Sequence, residues 1–266
     1  MQSMIFAAGL GTRLKPLTDR MPKALVRVGG KPLLEHTIER LRMAGCKHIV
    51  VNVHHFANQI IDFLNANDFG IDIRISDETE QLLDTGGGIK KAAPLFDSES
   101  PILIHNVDIL SNVDLHAFYG RVALAERQSQ VDALLLVSGR KTKRYLIFDE
   151  TMRLVGWTNV ETGEVKSPFA SVKALTFVQP YGNKVNNVQN GYRLFAFSGI
   201  HVVNFSMFKT MEGWPDKFPI MDFYLQNAHK LHFYGYVKDD LQLMDVGKLD
   251  TLHEAEEFVS SGKTRF

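Results

Sequence analysis

Cysteine is almost missing from these 266 residues: Cys46 stands alone. One thiol forms no intramolecular disulfide and no Cys-rich zinc site, so packing must hold the fold, and this usage suits a reducing compartment. Net charge is missing too. Thirty Lys and Arg balance thirty Asp and Glu, which leaves no overall field to draw the chain to nucleic acid or to an anionic membrane surface. Any cationic chemistry has to be local. No apolar run is long enough to span a bilayer, and the N-terminal run Met4–Ala8 has no basic leader and stops at Gly9. The expectation is a cytoplasmic chain that engages neither nucleic acid nor membrane. The ten histidines fall into no H-E-x-x-H spacing, and His54-His55 reads as a strand-end surface pair.

What is present is a rhythm of short apolar runs and helical periodicities, the mark of a parallel sheet with crossover helices. Met4–Ala8 reads as the first strand. Pro32 opens a helix with Leu34, Thr37/Ile38 and Leu41 on one face and Gly45 at its end. His48–Val53, Ile71–Ile75 and Ile102–Val107 read as strands, with helical spacing from Phe56 to Leu64 and a short helix over Gly88–Pro94. In the second half, Asp114–Glu126 reads as a helix, Ala133–Val137 as a buried strand, and Arg144–Phe148 with Arg153–Trp157 as a hairpin. Glu161–Gly191 has little periodicity and is expected to be a long excursion. Arg193–Val203 and Leu231–Tyr236 read as strands, Ile220–Ala228 and Leu249–Val259 as helices. No linker separates two cores, so one domain over 1–266 is expected.

The chemistry gathers in Phe6–Leu25. A dinucleotide fingerprint needs a small residue where Leu14 stands, and a Walker A loop needs Gly-Lys-Ser/Thr after four residues; this loop has neither. Two readings stay open from the residues alone. Either Gly9 and Gly11 let backbone N–H groups approach a phosphate or a base, with Arg13 and Lys23 adding cations, or they only make a turn beside two solvated charges. Asp108, emerging from a buried strand, and Asp245, before the last helix, are likewise either metal carboxylates or a turn cap and a helix-start residue.

The whole pattern, Ala7-Ala8-Gly9-x-Gly11-Thr12-Arg13-Leu14-x-Pro16-Leu17-Thr18 followed by Pro22-Lys23-x-Leu25, resembles the opening motif of the sugar-1-phosphate nucleotidyltransferases. Leu83–Ile89, with its three glycines, is similar to their second glycine loop, Asn106-Val107-Asp108 to their first metal aspartate, and Met244-Asp245-Val246-Gly247 to their second. The resemblance implies an α/β fold: a Rossmann-like, GT-A-like three-layer α/β/α nucleotidyltransferase with a mostly parallel mixed central sheet. It implies a nucleoside triphosphate and a sugar 1-phosphate as partners and Mg2+ as cofactor.

By the same resemblance, Ala8, Gly9, Gly11, Thr12 and Asn106 lie against the nucleotide, and Glu78, Gly86 and Gly87 near the base and ribose. Arg13 binds the triphosphate and steadies the departing pyrophosphate; Lys23 meets the α-phosphate or the sugar phosphate. Asp108 and Asp245 hold the metal. Lys173, Arg144 and Arg193 are secondary candidates for the acceptor phosphate. Asp84–Ile89, Arg144–Phe148 and Phe197–Ile200 look most like the N-acetylmuramate 1-phosphate uridylyltransferases of cell-wall recycling, with the heptose and mannose guanylyltransferases sharing much of the frame. The expected member is the compact type without an appended β-helix, and the resemblance leaves base, sugar and oligomeric state undecided.

Overall fold

A computed structural model of the chain describes residues 1–125, 130–180 and 188–262. The first half builds β1 (Gln2–Phe6), the small ribbon β2 (Arg27–Val28) and β3 (Lys31–Pro32), α1 (Leu33–Met43), β4 (His48–Val53) and α2 (Ala57–Ala66). It continues through β5 (Asp72–Asp77), α3 (Asp84–Ala92), β6 (Ile102–Asn106), β7 (Ile109–Ser111) and α4 (Leu115–Ala125). The second half adds β8 (Ala133–Ser138), β9 (Arg144–Phe148), β10 (Leu154–Asn159), β11 (Glu164–Lys166), α5 (Ala170–Lys173), β12 (Val188–Gln189) and β13 (Tyr192–Val203). It closes with α6 (Met207–Met211), α7 (Ile220–Asn227), β14 (Phe233–Val237), β15 (Leu243–Asp245) and α8 (Leu252–Ser260).

The central sheet is mixed. Strands β5, β4, β1 and β6 lie side by side in parallel register, Phe6 level with Asn52 on one side and Asn106 on the other. After β5 the chain crosses to the opposite side of β1, so β1 sits at a topological switch point, where the carboxyl ends of open α/β sheets part to form a crevice. From β6 onward the pairing turns antiparallel through the long strand β13, which bonds β6, β8, β9 and β12. Among the described residues only β8 and β14 run parallel in that half.

Strand alternation divides the core between two faces, because successive side chains point to opposite sides. Ile5, Val51 and Leu103 pack against α1, α2 and α4, while Met4, Val50 and Ile104 pack against α3, α6 and α7. Each such side chain is fully buried and contributes about 1.5–3 kcal/mol relative to exposure. Helices on both faces of one mixed sheet give the three layers.

Two segments differ from the sequence reading. The third helix begins at Asp84 rather than Gly88, so its three glycines belong to the helix. The excursion after Glu161 contains β11 and α5, and with β9, β10 and β13 these enclose a small separate cluster of Tyr145, Ile147, Val155, Val172, Phe177 and Leu194. Elements of three or four residues are too short to show a period. Residues 181–187 of that excursion, and Glu126 at the expected end of the fourth helix, lie outside the described residues.

Candidate active site

The segment after β1 wraps the crevice in three short 3-10 turns, Thr12–Leu14, Leu17–Asp19 and Lys23–Leu25. Its start is fixed by Asn52 at the end of β4, whose Oδ1 accepts from the Ala7 and Ala8 N–H groups at 2.8 and 3.3 Å. The same amide donates to Glu78 Oε1 at 2.7 Å, and Glu78 Oε2 accepts from the Leu83 N–H at 3.0 Å. One buried polar chain therefore ties the first loop to the ends of β4 and β5. Glu78 is only 1% exposed, so these charge-assisted bonds offset its desolvation.

The two loop glycines have different reasons to be glycine. Gly11 has φ +63°, and a Cβ there would stand 2.8 Å from Thr18 Cγ2 and 3.0 Å from Lys23 Cβ. Gly9 has no protein atom within 4 Å of a built Cβ, yet it lines a cavity of about 400 Å3 at the carboxyl end of the parallel strands. Packing explains Gly11 and leaves Gly9 unexplained, as expected of a backbone that something outside the protein must approach.

Across the cavity stand Ala8, Glu78, Asn106, and an ion pair between Lys23 Nζ and Asp108 Oδ2, whose side chains are 11% and 16% exposed. Asp245 reaches the same rim by pairing of β15 with β7: it lies opposite Ile109, and the Val246 N–H donates to the Asp108 carbonyl at 2.9 Å. Two carboxylates far apart in sequence are thus neighbours along one ladder. Arg13 Nη2 stands 4.0 Å from Asp245 Oδ2 with both side chains about half exposed, a pair worth roughly 0–1 kcal/mol in water. A Cβ on Gly247 would fall 2.6 Å from Arg13 Nη2 and 2.5 Å from Asp245 Oδ1, so that glycine makes room for the pair.

Other expected residues lie elsewhere. Gly86 and Gly87 occupy the first turn of α3, donate both N–H groups to the Phe218 carbonyl, and would drive a Cβ into Phe218 and the Asp216 carbonyl; neither lines the cavity. Gly88 instead faces Glu78, with a built Cβ 2.8 Å from Oε1. Thr12 is exposed beside Arg13. Lys173 lines a separate groove of about 930 Å3 with Lys166, Asp222 and His229, Arg144 is exposed at the start of β9, and Arg193 pairs with Phe148 farther along β13. His54 is half-buried, its ring Nδ1 2.6 Å from the Glu78 carbonyl.

Sequence reasoning missed Asn52 and Lys217 as wall residues, and from the second glycine loop it named Gly86 and Gly87 where Asp84 and Thr85 line the cavity. Asp84 has φ +61°, a left-handed conformation uncommon outside glycine, and its Oδ1 accepts from the Thr85 N–H at 2.7 Å. No sequence pattern marks Lys217; its neighbours Asp216 and Phe218 bring it over the cavity by closing on Gly86 and Gly87. Next to Asn106, His105 is fully buried, and desolvation with the nearby Arg40 charge pushes its pKa down to about 3, so the imidazole is neutral.

Among the described residues no three His, Cys, Asp or Glu side chains gather as a metal cage. The two aspartates are hard oxygen donors. That set fits a magnesium ion, which takes one or two carboxylates and completes its shell with phosphates and waters, and does not fit zinc, which takes at least three protein ligands.

Residues 2–145 match the family model described as nucleotidyl transferase, and the chain belongs to that family. It is 41% identical over 152 residues to the N-acetylmuramate alpha-1-phosphate uridylyltransferase of Caulobacter vibrioides, covering 56% of this chain and 62% of the relative. It is 42% identical over 120 residues to the protein of that name from Neisseria meningitidis serogroup B, covering 45% and 52%. The matches thus span between half and two thirds of these relatives' length. A crystal structure of HddC from Yersinia pseudotuberculosis has the same fold over 97% of this chain and 99% of that one, with a TM-score of 0.68 at 22% identity.

Proposed function

We propose that the chain, acting as one nucleotidyltransferase unit over 1–266, joins a nucleoside triphosphate to a sugar 1-phosphate to give a nucleoside diphosphate sugar and pyrophosphate. UTP with N-acetylmuramate 1-phosphate is the substrate pair, in the service of cell-wall recycling in the cytoplasm. The observation that carries the reading is the convergence of Gly9, Lys23 and Asp108 on one cavity, with Asp245 beside Asp108 on an adjacent strand. The similarity to the two uridylyltransferases supports the choice of base and sugar.

The reaction brings two anions together. A phosphate oxygen of the sugar attacks the α-phosphorus, the bond from that phosphorus to the bridging oxygen breaks, and pyrophosphate leaves with the electron pair. The nucleophile is already ionised at neutral pH, so no general base or covalent intermediate is needed, and positioning with charge stabilisation carries the rate. Arg13 stabilises the triphosphate and the departing pyrophosphate through its planar fork of donors. Lys23 neutralises charge at the α-phosphate, and Gly9 admits the phosphates close to the backbone. Glu78 accepts from the base, a role that uracil N3–H or guanine N1–H and N2–H can satisfy. Asp108 and Asp245 would hold Mg2+, which when bound neutralises phosphate oxygens.

Pyrophosphate release with Mg2+ tests the reading, crossing UTP, GTP, CTP, ATP and dTTP against N-acetylmuramate, N-acetylglucosamine, glucose, mannose and heptose 1-phosphates. Turnover is expected with UTP and N-acetylmuramate 1-phosphate. Preference for GTP with mannose or heptose would keep the chemistry and replace the substrates. Nucleotide binding with silence across the panel would identify a sensor on the same fold.

A further inference from the structure

Lys23 is paired with Asp108 and Arg13 with Asp245, Lys173 lines a different groove, and Lys217 lines the cavity from the α3 side, where Asp216 and Phe218 close on Gly86 and Gly87; the β13 side of the rim is left without an assigned cation. Arg140 fills that gap. It follows β8, whose last residue, Ser138, lies opposite Ala196 of β13. Because β8 and β6 both run antiparallel to β13, Ser138 ends at the same edge of the sheet as Asn106.

The guanidinium is held in place. Arg140 Nη2 donates to the Phe197 carbonyl at 2.9 Å, within the irregular stretch of β13 from Phe197 to His201. That bulge carries Gly199 at φ +76°, where a Cβ would stand 2.7 Å from Asn106 Nδ2, so the carbonyl that anchors Arg140 belongs to a backbone packed against the residue before Val107 and Asp108. The rest of the loop is pinned as well: the Thr142 N–H donates to the Tyr145 hydroxyl at 3.0 Å, and Gln179 donates to the same oxygen at 2.6 Å. Although Arg140 is exposed as a residue, desolvation lowers its pKa, opposed by the Asp245 carboxylate and by Tyr145. Asp245 is therefore close enough for its field to reach the guanidinium, yet among the described residues no carboxylate stands within ion-pair distance of Arg140. One anchored N–H leaves other donors of the planar fork free for a phosphate.

We propose that Arg140 binds the phosphate of the sugar 1-phosphate and holds it beside the Asp108–Asp245 rim. The proposal rests on the transferase reading above.

The test is steady-state kinetics of Arg140→Gln and Arg140→Lys with each substrate varied in turn. Loss of a charge-assisted contact to one substrate should raise the sugar-phosphate KM about tenfold to a hundredfold in Arg140→Gln, with the triphosphate KM changed less than about twofold. Arg140→Lys should recover part of the loss. A role confined to anchoring the bulge would lower thermal stability and affect both substrates alike, which overturns the proposal. An increase in the triphosphate KM alone, or unchanged constants for both substrates, overturns it while leaving the transferase reading intact. Absence of wild-type turnover with every pair would instead overturn that reading, and this assignment with it.

Discussion

The contrast between Gly9 and Gly11 separates binding from packing two residues apart, and the pair Gly9→Ala and Gly11→Ala tests it. At Gly11 two costs add. An L-residue in the left-handed region loses about 1–2 kcal/mol, and a methyl placed 2.8 Å from Thr18 Cγ2 and 3.0 Å from Lys23 Cβ adds about 1–3 kcal/mol of overpacking. The sum, roughly 2–5 kcal/mol, should lower Tm by about 4–9 °C in a chain of this size. Activity should fall as well, because Lys23 is one of the atoms that must give way. At Gly9 neither cost applies: φ is not left-handed and the built Cβ meets no protein atom. Gly9→Ala should therefore leave Tm within about 1–2 °C of wild type, since an uncrowded surface substitution stays within about 0.5 kcal/mol. Its triphosphate KM or kcat should nevertheless worsen at least about tenfold, the effect of about 1.4 kcal/mol of lost transition-state contact. Thermal unfolding and pyrophosphate release on the same samples read both quantities. A Gly9→Ala protein with full turnover would refute the reasoning, for then the first loop cradles no phosphate.

Two further outcomes follow from the buried polar groups. Asn52→Leu should strip partners from the Ala7 and Ala8 N–H groups and from Glu78 Oε1; at about 1–3 kcal/mol for each group left unsatisfied, we expect a loss of at least about 3 kcal/mol in urea unfolding together with weakened triphosphate binding, and an unchanged midpoint would remove this chain from the site. Acid should unfold the protein early, because burial pushes His105 and His201 down to about 3 from an ordinary value of 6.5. The unfolded chain takes up those protons first, so the stability they contribute is present above pH 6.5 and declines as pH falls toward 3; at pH 5 the loss is about 2 kcal/mol for each imidazole. His201→Leu should flatten the pH dependence of unfolding between pH 6.5 and 4, and an identical slope in wild type and variant would count against a buried neutral imidazole.

How much of this was legible depended on whether a residue's reason to exist is local. The strands of the first half, the helix from Leu33 and the hairpin turn near Asp149 follow from periodicity and turn chemistry that a short window contains. Gly86, Gly87 and Gly88 misled a local reading, because three glycines disfavour a helix by intrinsic propensity. They stand in one because Phe218 and Asp216 approach the first two, and Glu78 the third, too closely for a Cβ. For the first two that reason lies more than a hundred residues away. Lys217 and Asn52 were invisible on the same ground, for each becomes a wall of the cavity through a neighbour's packing rather than through a motif. The antiparallel pairing of β13 with β6 and β8 was hidden too, since a buried strand reads alike whichever way its neighbour runs.

The sheet's change of direction determines which elements meet at the edge where the candidate site lies. At β1 the crossover from β5 to β6 opens the crevice, and the loop holding Gly9 and Lys23 enters there. The same edge next meets β13, a strand running the other way, which bulges where it passes Asn106 and continues beyond it to pair with β9. A parallel neighbour would have ended at that edge with its own loop. An antiparallel one instead carries ordered backbone past it, so that Phe197 can anchor a cation from β8 while β7 and β15 bring Asp108 and Asp245 together between the two sides. The parallel half thus supplies the cavity that Gly9, Lys23 and Asp108 line, and the antiparallel strand beside β6 carries the Phe197 carbonyl, and with it Arg140, past the end of that strand.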